Sequence, residues 1–207
     1  MANEFLKERI NDRYSKYTEA DSMGCANLAP FFDIQIGDVV LDLGCGSGNQ
    51  ALRLAEVVGA NGFVYGLDIS QAMIEKAQSK AAKENVKFTT GRIENLPFED
   101  MSMNVVISNC VINHSTDKKA VFSEIYRVLK NGGYFLIGDV MAVERLPEKI
   151  SNDPEKIAEC WGGAIPKDEY LDVIKKLGFI NITELSGRKY YKNNFLLESI
   201  IIKGEKP

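Results

Sequence analysis

The run AspLeuGlyCysGlySerGly at 42 to 48 sits between a strand-like segment and a helical one, and a carboxylate, Asp68, follows its last glycine by twenty residues. Gly44, Gly46 and Gly48 let the backbone turn tightly and approach a ligand with no Cβ in the way. Asn49 opens the following helix, whose first amides are ready donors. In an open α/β sheet, ligands sit beyond the carboxyl ends of the strands. Asp68, with Ile69 after it, ends the second strand, where a carboxylate can accept both hydroxyl protons of a ribose. An adenosine moiety is therefore expected. Gly46, Gly48 and Ala51 also satisfy the GxGxxA dinucleotide spacing, so the glycine turn alone leaves a nicotinamide cofactor open.

These residues need strands and helices to hold them, and the chain supplies both in alternation from Asp38 onward. That alternation predicts stacked βαβ units and an α/β fold: one doubly wound, mostly parallel, Rossmann-like sheet with an antiparallel last strand. Strands are expected at 39–43, 63–68, around 86–90, 105–109 and 134–138, with two more near 180–185 and 196–203. Helices are expected at 49–58, 71–84, 118–129 and 167–176, and the turn before the fifth strand falls on Asn131, Gly132 and Gly133. With no repeat or linker, residues 1–207 read as a single domain. Residues 1–36 form an expected N-terminal helical cap and the proline-bearing stretch 141–166 an expected lid-like insertion over the crevice.

Bulk properties narrow the partners. With 25 basic and 29 acidic residues and a net charge of −4, no general attraction to nucleic acid or anionic membrane is expected, so a small-molecule substrate is the default. The charged amphipathic start carries no apolar span, and the chain reads as cytoplasmic. Cysteines at 25, 45, 110 and 160 are too few and too widely spaced for a disulfide framework or a CxxC zinc site, and free thiols are expected.

Three features accompany the glycine turn: Asp42 at its head, GlyArgIleGluAsnLeuProPhe at 91–98 after the third strand, and ArgValLeuLysAsnGlyGly at 127–133 before the fifth. The combination resembles class I methyltransferases. The resemblance implies that the turn wraps the methionine part of S-adenosylmethionine, Asp68 holds the ribose, Ile93 and Glu94 frame the adenine, and Asn109 faces the reactive end. Two further stretches, IleSerAsnCysValIleAsn at 107–113 and the segment 146–165 with its GluCysTrpGlyGly, together with Asp117 and Lys118, look like the arsenite methyltransferases. In that family the corresponding cysteines bind trivalent arsenic, which carries over to Cys110 and Cys160, and MetGlyCysAla places Cys25 comparably, although AsnLeuAlaPro after it departs from the family pattern.

The chemistry agrees with the resemblance. Trivalent arsenic is soft and thiophilic, so thiolates from separate segments can hold it in a pyramid with its lone pair outward. Methyl transfer from a sulfonium then needs alignment rather than a general base. The competing expectation is a methyltransferase for a small organic acceptor such as a quinone, phenol or amine. There the cysteines are packing residues and His114, the only histidine, or a water handles the proton. A third reading is a binding module without turnover. Tyr14 and Tyr17 can close over the cofactor or serve as packing.

Overall fold

Alternating apolar residues build the sheet. In the computed structural model, which describes residues 2–15, 26–81 and 84–207, the strands are β1 (Val39–Leu43), β2 (Phe63–Asp68), β3 (Val86–Thr90), β4 (Met103–Asn109), β5 (Leu129–Ala142), β6 (Ile180–Lys192) and β7 (Phe195–Glu205). They form one sheet in the order β3-β2-β1-β4-β5-β7-β6. The first five strands run parallel, and β7, antiparallel to both neighbours, lies between β5 and β6. The order reverses between β1 and β4, and this is where a doubly wound sheet opens its crevice.

Period-two alternation divides the strand residues between two cores. Leu41, Leu43, Val106 and Phe135 pack with helices α4 (Lys118–Val128) and α7 (Lys167–Lys176). Val40, Val105, Ile107 and Leu136 pack with α2 (Asn49–Val58) and α3 (Gln71–Lys80). Asp117 caps α4, its carboxylate accepting from the Ala120 amide at 2.9 Å. α7 carries Asp168 and Glu169 in its first turn and Lys175 and Lys176 in its last, matching the helix dipole, and Gly178 follows at φ +95°.

The remaining segments border the crevice. α1 (Ala2–Ser15) lays Leu6 and Ile10 against Ile157 and Ala158 of α6 (Pro154–Ala158), with Ile69 packed alongside. Beyond β5 the chain forms α5 (Glu148–Ser151), α6, and a 3-10 turn at Trp161–Gly163. Trp161, Leu146 and Ala164 bury themselves against Val140 and Leu197, so the expected lid is seated on the ends of β5 and β7. Cys25, Tyr17 and the side chain of Tyr14 lie outside the described residues. Among those described, no helix is long and apolar enough to cross a membrane.

Three boundaries differ from expectation. β5 begins at Leu129 and runs to Ala142, taking in the expected turn, because residues from Tyr134 to Ala142 all pair with β7. α3 stops at Lys80, where Ala81 turns extended at ψ 97°. The last two strands form a long hairpin closed by Asn193 and Asn194 at φ 50° and 67°, a left-handed pair that asparagine tolerates.

Candidate active site

The carboxyl ends of β1 and β2 meet first. The amides of Gly44 and Cys45 both donate to the Leu67 carbonyl, at 2.7 and 3.0 Å, which stitches the glycine turn to β2. Gly44, Gly46 and Gly48 all adopt positive φ, as their lack of Cβ permits. Their surroundings differ. A Cβ at Gly44 would strike Val111 and one at Gly48 would strike Phe88 and Ala77, whereas one at Gly46 would meet nothing within 4 Å. Gly46 therefore faces open space, while its flanking glycines are needed for internal packing.

Asp68 is tied to this turn. Its Oδ2 accepts the Gly46 amide at 2.9 Å and its Oδ1 the Ser70 amide at 2.8 Å. Burial raises its pKa and these amides oppose the rise. Asp42, 3% exposed, is pushed up to about 7 by burial and then by the charge of Asp68, with a hydrogen bond from Gln50 acting the other way. Burial likewise raises the Cys45 thiol, whose side chain packs in the core.

Asp42 Oδ2 and Asn109 Oδ1 are buried acceptors with no hydrogen bond. Unsatisfied buried acceptors are costly and call for a donor. An amino-acid nucleoside such as S-adenosylmethionine carries an ammonium and two ribose hydroxyls, and the open face at Gly46 leaves room for it, so these residues fit that ligand. Asn109 is oriented from behind, its Nδ2 donating to the Ala26 carbonyl at 2.8 Å. Asn49 starts α2 and accepts from Lys80 at 2.9 Å. Ile93 belongs to the core at 9% exposure, Glu94 pairs with Arg92 at 3.4 Å, and Ile69 packs in the α1 and α6 cluster.

The second half of the site gathers at the ends of β4 and β5. Sγ of Cys110, Sγ of Cys160 and a carboxylate oxygen of Asp139 all lie within 4.8 Å of one another. Both cysteines occupy the left-handed region, at φ 61° and 71°, an unusual conformation for residues with a Cβ. Cys110 follows β4, its amide donating to the Gly138 carbonyl at 2.8 Å, which puts it next to Asp139. The Cys160 amide donates to Ile157 O at 2.8 Å, so its turn is the end of α6.

One expectation needs correction. Cys45 and Cys160 are free thiols, but Cys110 is disulfide-bonded. Wide spacing in sequence does not prevent pairing, because folding brings distant segments together.

Asp139 was not singled out from sequence, and it lies at the centre of this half. Fully buried, it accepts from Asn113 Nδ2 at 2.9 Å, from the Cys160 thiol at 3.6 Å and from the Tyr170 hydroxyl at 3.4 Å. Burial raises its pKa to about 6. The Cys160 thiol is raised by burial and then by the Asp139 charge, so the free protein holds it protonated. His114 is lowered to about 4, chiefly by burial and then by Lys118, and its ring donates to the Ala158 carbonyl. It is a neutral strut between the 3-10 turn Ile112–His114 and α6.

In sequence and fold the chain is similar to known methyltransferases. Residues 34–179 match a family model described as a methyltransferase domain. The arsenite methyltransferase of Halobacterium salinarum is 41% identical over 160 residues, 76% of this chain and 41% of that protein. That of Homo sapiens is 38% identical over 152 residues, 68% of this chain and 40% of that protein. The crystal structure of an arsenic(III) S-adenosylmethionine methyltransferase from Chlamydomonas reinhardtii superposes with a TM-score of 0.80 at 31% identity, covering 100% of this chain and 74% of that one. The chain spans about two fifths of the length of these curated relatives. Fold, glycine turn and similarity agree, and the nicotinamide reading falls away: the chain belongs to the class I methyltransferases and resembles the arsenite methyltransferases among them.

Proposed function

We propose that this chain transfers a methyl group from S-adenosylmethionine to trivalent arsenic, supplied as arsenite or a thiol complex and held by Cys110 and Cys160. The observation that carries the reading is the approach of the two sulfurs within 4.8 Å, from segments 50 residues apart in the chain. Two thiols so close can chelate one soft atom.

Bound S-adenosylmethionine supplies a methyl on a sulfonium, whose transfer is an in-line displacement leaving S-adenosylhomocysteine. Asp68 and Asp42 receive the cofactor's hydroxyl and ammonium donors, and Asn109 lies between the two halves of the site. At the other half, each cysteine thiol exchanges for an arsenic hydroxyl: a sulfur–arsenic bond forms, an arsenic–oxygen bond breaks, and the thiol proton leaves with the hydroxide as water. Disulfide-bonded Cys110 must first be released by an external thiol, which is oxidised to its own disulfide as the Cys110 bond is reduced. Cys25 is the third ligand implied by resemblance, and Ile69, Ile93 and Glu94 are proposed to border the adenosine. The reaction is placed in the cytoplasm, within a single domain spanning residues 1–207.

The test measures S-adenosylhomocysteine release by phosphine-reduced protein with and without arsenite, comparing native chain with Cys110→Ser and Cys160→Ser. Arsenite-dependent release that both variants lose is the expected result. If arsenite adds nothing, or both variants keep full activity, the arsenic reading fails, and turnover with a quinone, phenol or amine would replace it.

A further inference from the structure

We propose that Lys118 is a positioning residue for arsenic capture, holding the Cys160 turn against the loop that follows Cys110 so that the two cysteines act as one chelate. The inference rests on the arsenic reading above. Lys118 is 7% exposed, and its ammonium donates to two backbone carbonyls, Ser115 O at 2.8 Å and Gly163 O at 2.7 Å. The first carbonyl belongs to the loop leading from Cys110 to α4. The second belongs to the turn that carries Cys160, whose own carbonyl accepts the Gly163 amide at 3.3 Å. One buried cation therefore staples together the segments that bear the two sulfurs.

Neighbouring contacts tie the same loop to β5 and pack it against the Cys160 turn. Asn113 donates to Asp139 Oδ1 and to the Val140 carbonyl, at 2.9 and 2.6 Å. Gly163 lies so close to Asn113 that an added Cβ would overlap its carbonyl oxygen. Burying an ammonium is expensive unless it is hydrogen-bonded and faces opposite charge, and a methionine would fill the same space at no such cost. Lys118 meets both conditions: burial works against its charge, two carbonyls sit on its donors, and the charge of Asp139 opposes the burial most strongly. The strained φ of 71° at Cys160 has no glycine to relieve it, so the turn needs external restraint, and Lys118 supplies it. Two tethered donors bind one atom tightly only while their separation is fixed; loosening the tether lowers the effective concentration of the second thiol.

The experiment uses the full chain reduced with a phosphine and titrated with phenylarsine oxide, a probe that bridges two thiols, read by Trp161 fluorescence. S-adenosylhomocysteine binding is measured in parallel. Lys118→Met is expected to weaken phenylarsine oxide binding by about tenfold or more, the range for losing hydrogen bonds from a charged group, while S-adenosylhomocysteine binding stays within about twofold. Lys118→Arg, which keeps the charge and the donors, should recover most of the loss. Because the Lys118 charge also favours the Cys160 thiolate, alkylation by iodoacetamide is followed across pH and compared per thiolate, and on that basis the Met variant should react at least as fast as the native chain, its single thiol being intact and less confined. Undiminished probe binding by Lys118→Met overturns the proposal. Parallel loss of both ligands overturns it too, since Lys118 would then merely support the fold. Failure of the native chain to bind the probe sinks the arsenic reading itself.

Discussion

The carboxylate of Asp68 accepts the amide of Gly46 at 2.9 Å, joining the acid that ends β2 to the glycine of the turn after β1 that faces open space. Asp68→Asn keeps an oxygen for only one of the Gly46 and Ser70 amides and removes the charge that a ribose diol would exploit. S-adenosylhomocysteine affinity is expected to fall about ten- to hundredfold, and the melting temperature to drop by the few degrees that one unpaired buried amide costs. Isothermal titration beside a thermal melt checks both.

Asp42 points to a trade between stability and binding. Its folded pKa is raised to about 7 by burial, so its negative charge is disfavoured in the free protein near neutral pH. A raised carboxylate contributes stability at low pH and loses it as pH climbs through the folded value. Asp42→Asn is therefore expected to leave the ligand-free protein as stable as the native chain or more so, by on the order of 1–2 kcal/mol at pH 8. Cofactor affinity should drop at least about tenfold. Denaturant unfolding with and without S-adenosylhomocysteine separates the two effects.

His114 has the opposite sign. Its folded pKa, about 4, lies below the ordinary 6.5, so the neutral ring is what the fold accepts. Stability is fully present above pH 6.5 and is lost as pH falls toward 4, by up to about 3 kcal/mol. Asp42 and Asp139 gain in the same interval. The histidine contribution is isolated by comparing native chain with His114→Gln, which keeps a donor for Ala158. The variant should lose less stability between pH 7 and 4, and parallel curves would show that the histidine carries no such linkage.

Gly163→Ala tests the packing of the cysteine turn. The new Cβ would overlap the Asn113 carbonyl oxygen, so the turn or the 3-10 segment beneath it must shift. Overpacking of this kind costs roughly 1–3 kcal/mol. Arsenite KM is expected to rise by about tenfold while S-adenosylhomocysteine affinity holds, a split that steady-state kinetics and titration detect together.

Much of this arrangement is legible in the sequence. The glycine turn and Asp68 are readable because cofactor geometry fixes both residue type and spacing, and the βαβ alternation places them at strand ends. Cys110 and Cys160 drew notice through the stretches around them. Asp139 escaped because the fifth strand reads as ending at Gly138, four residues short of its end at Ala142, and an isolated aspartate there carries no spacing signal. The left-handed backbone at both cysteines is invisible in sequence, since only glycine, asparagine and aspartate advertise it. Asn193 and Asn194 did advertise it, yet the hairpin was read short because β6 is largely exposed and lacks a clean apolar alternation. The disulfide at Cys110 has no sequence signature at all.

The cluster formed by Leu6, Ile10, Ile69, Ile157 and Ala158 has a consequence for any mutational survey of this protein. Ile69 follows Asp68 and Ala158 precedes Cys160 by two residues, yet both belong to one cluster with Leu6 and Ile10 of α1. Substitutions made beside the glycine turn and beside the Cys160 turn share neighbours, so their energetic effects will not add. A double variant such as Ile69→Ala with Ile157→Ala removes one common wall rather than two separate supports.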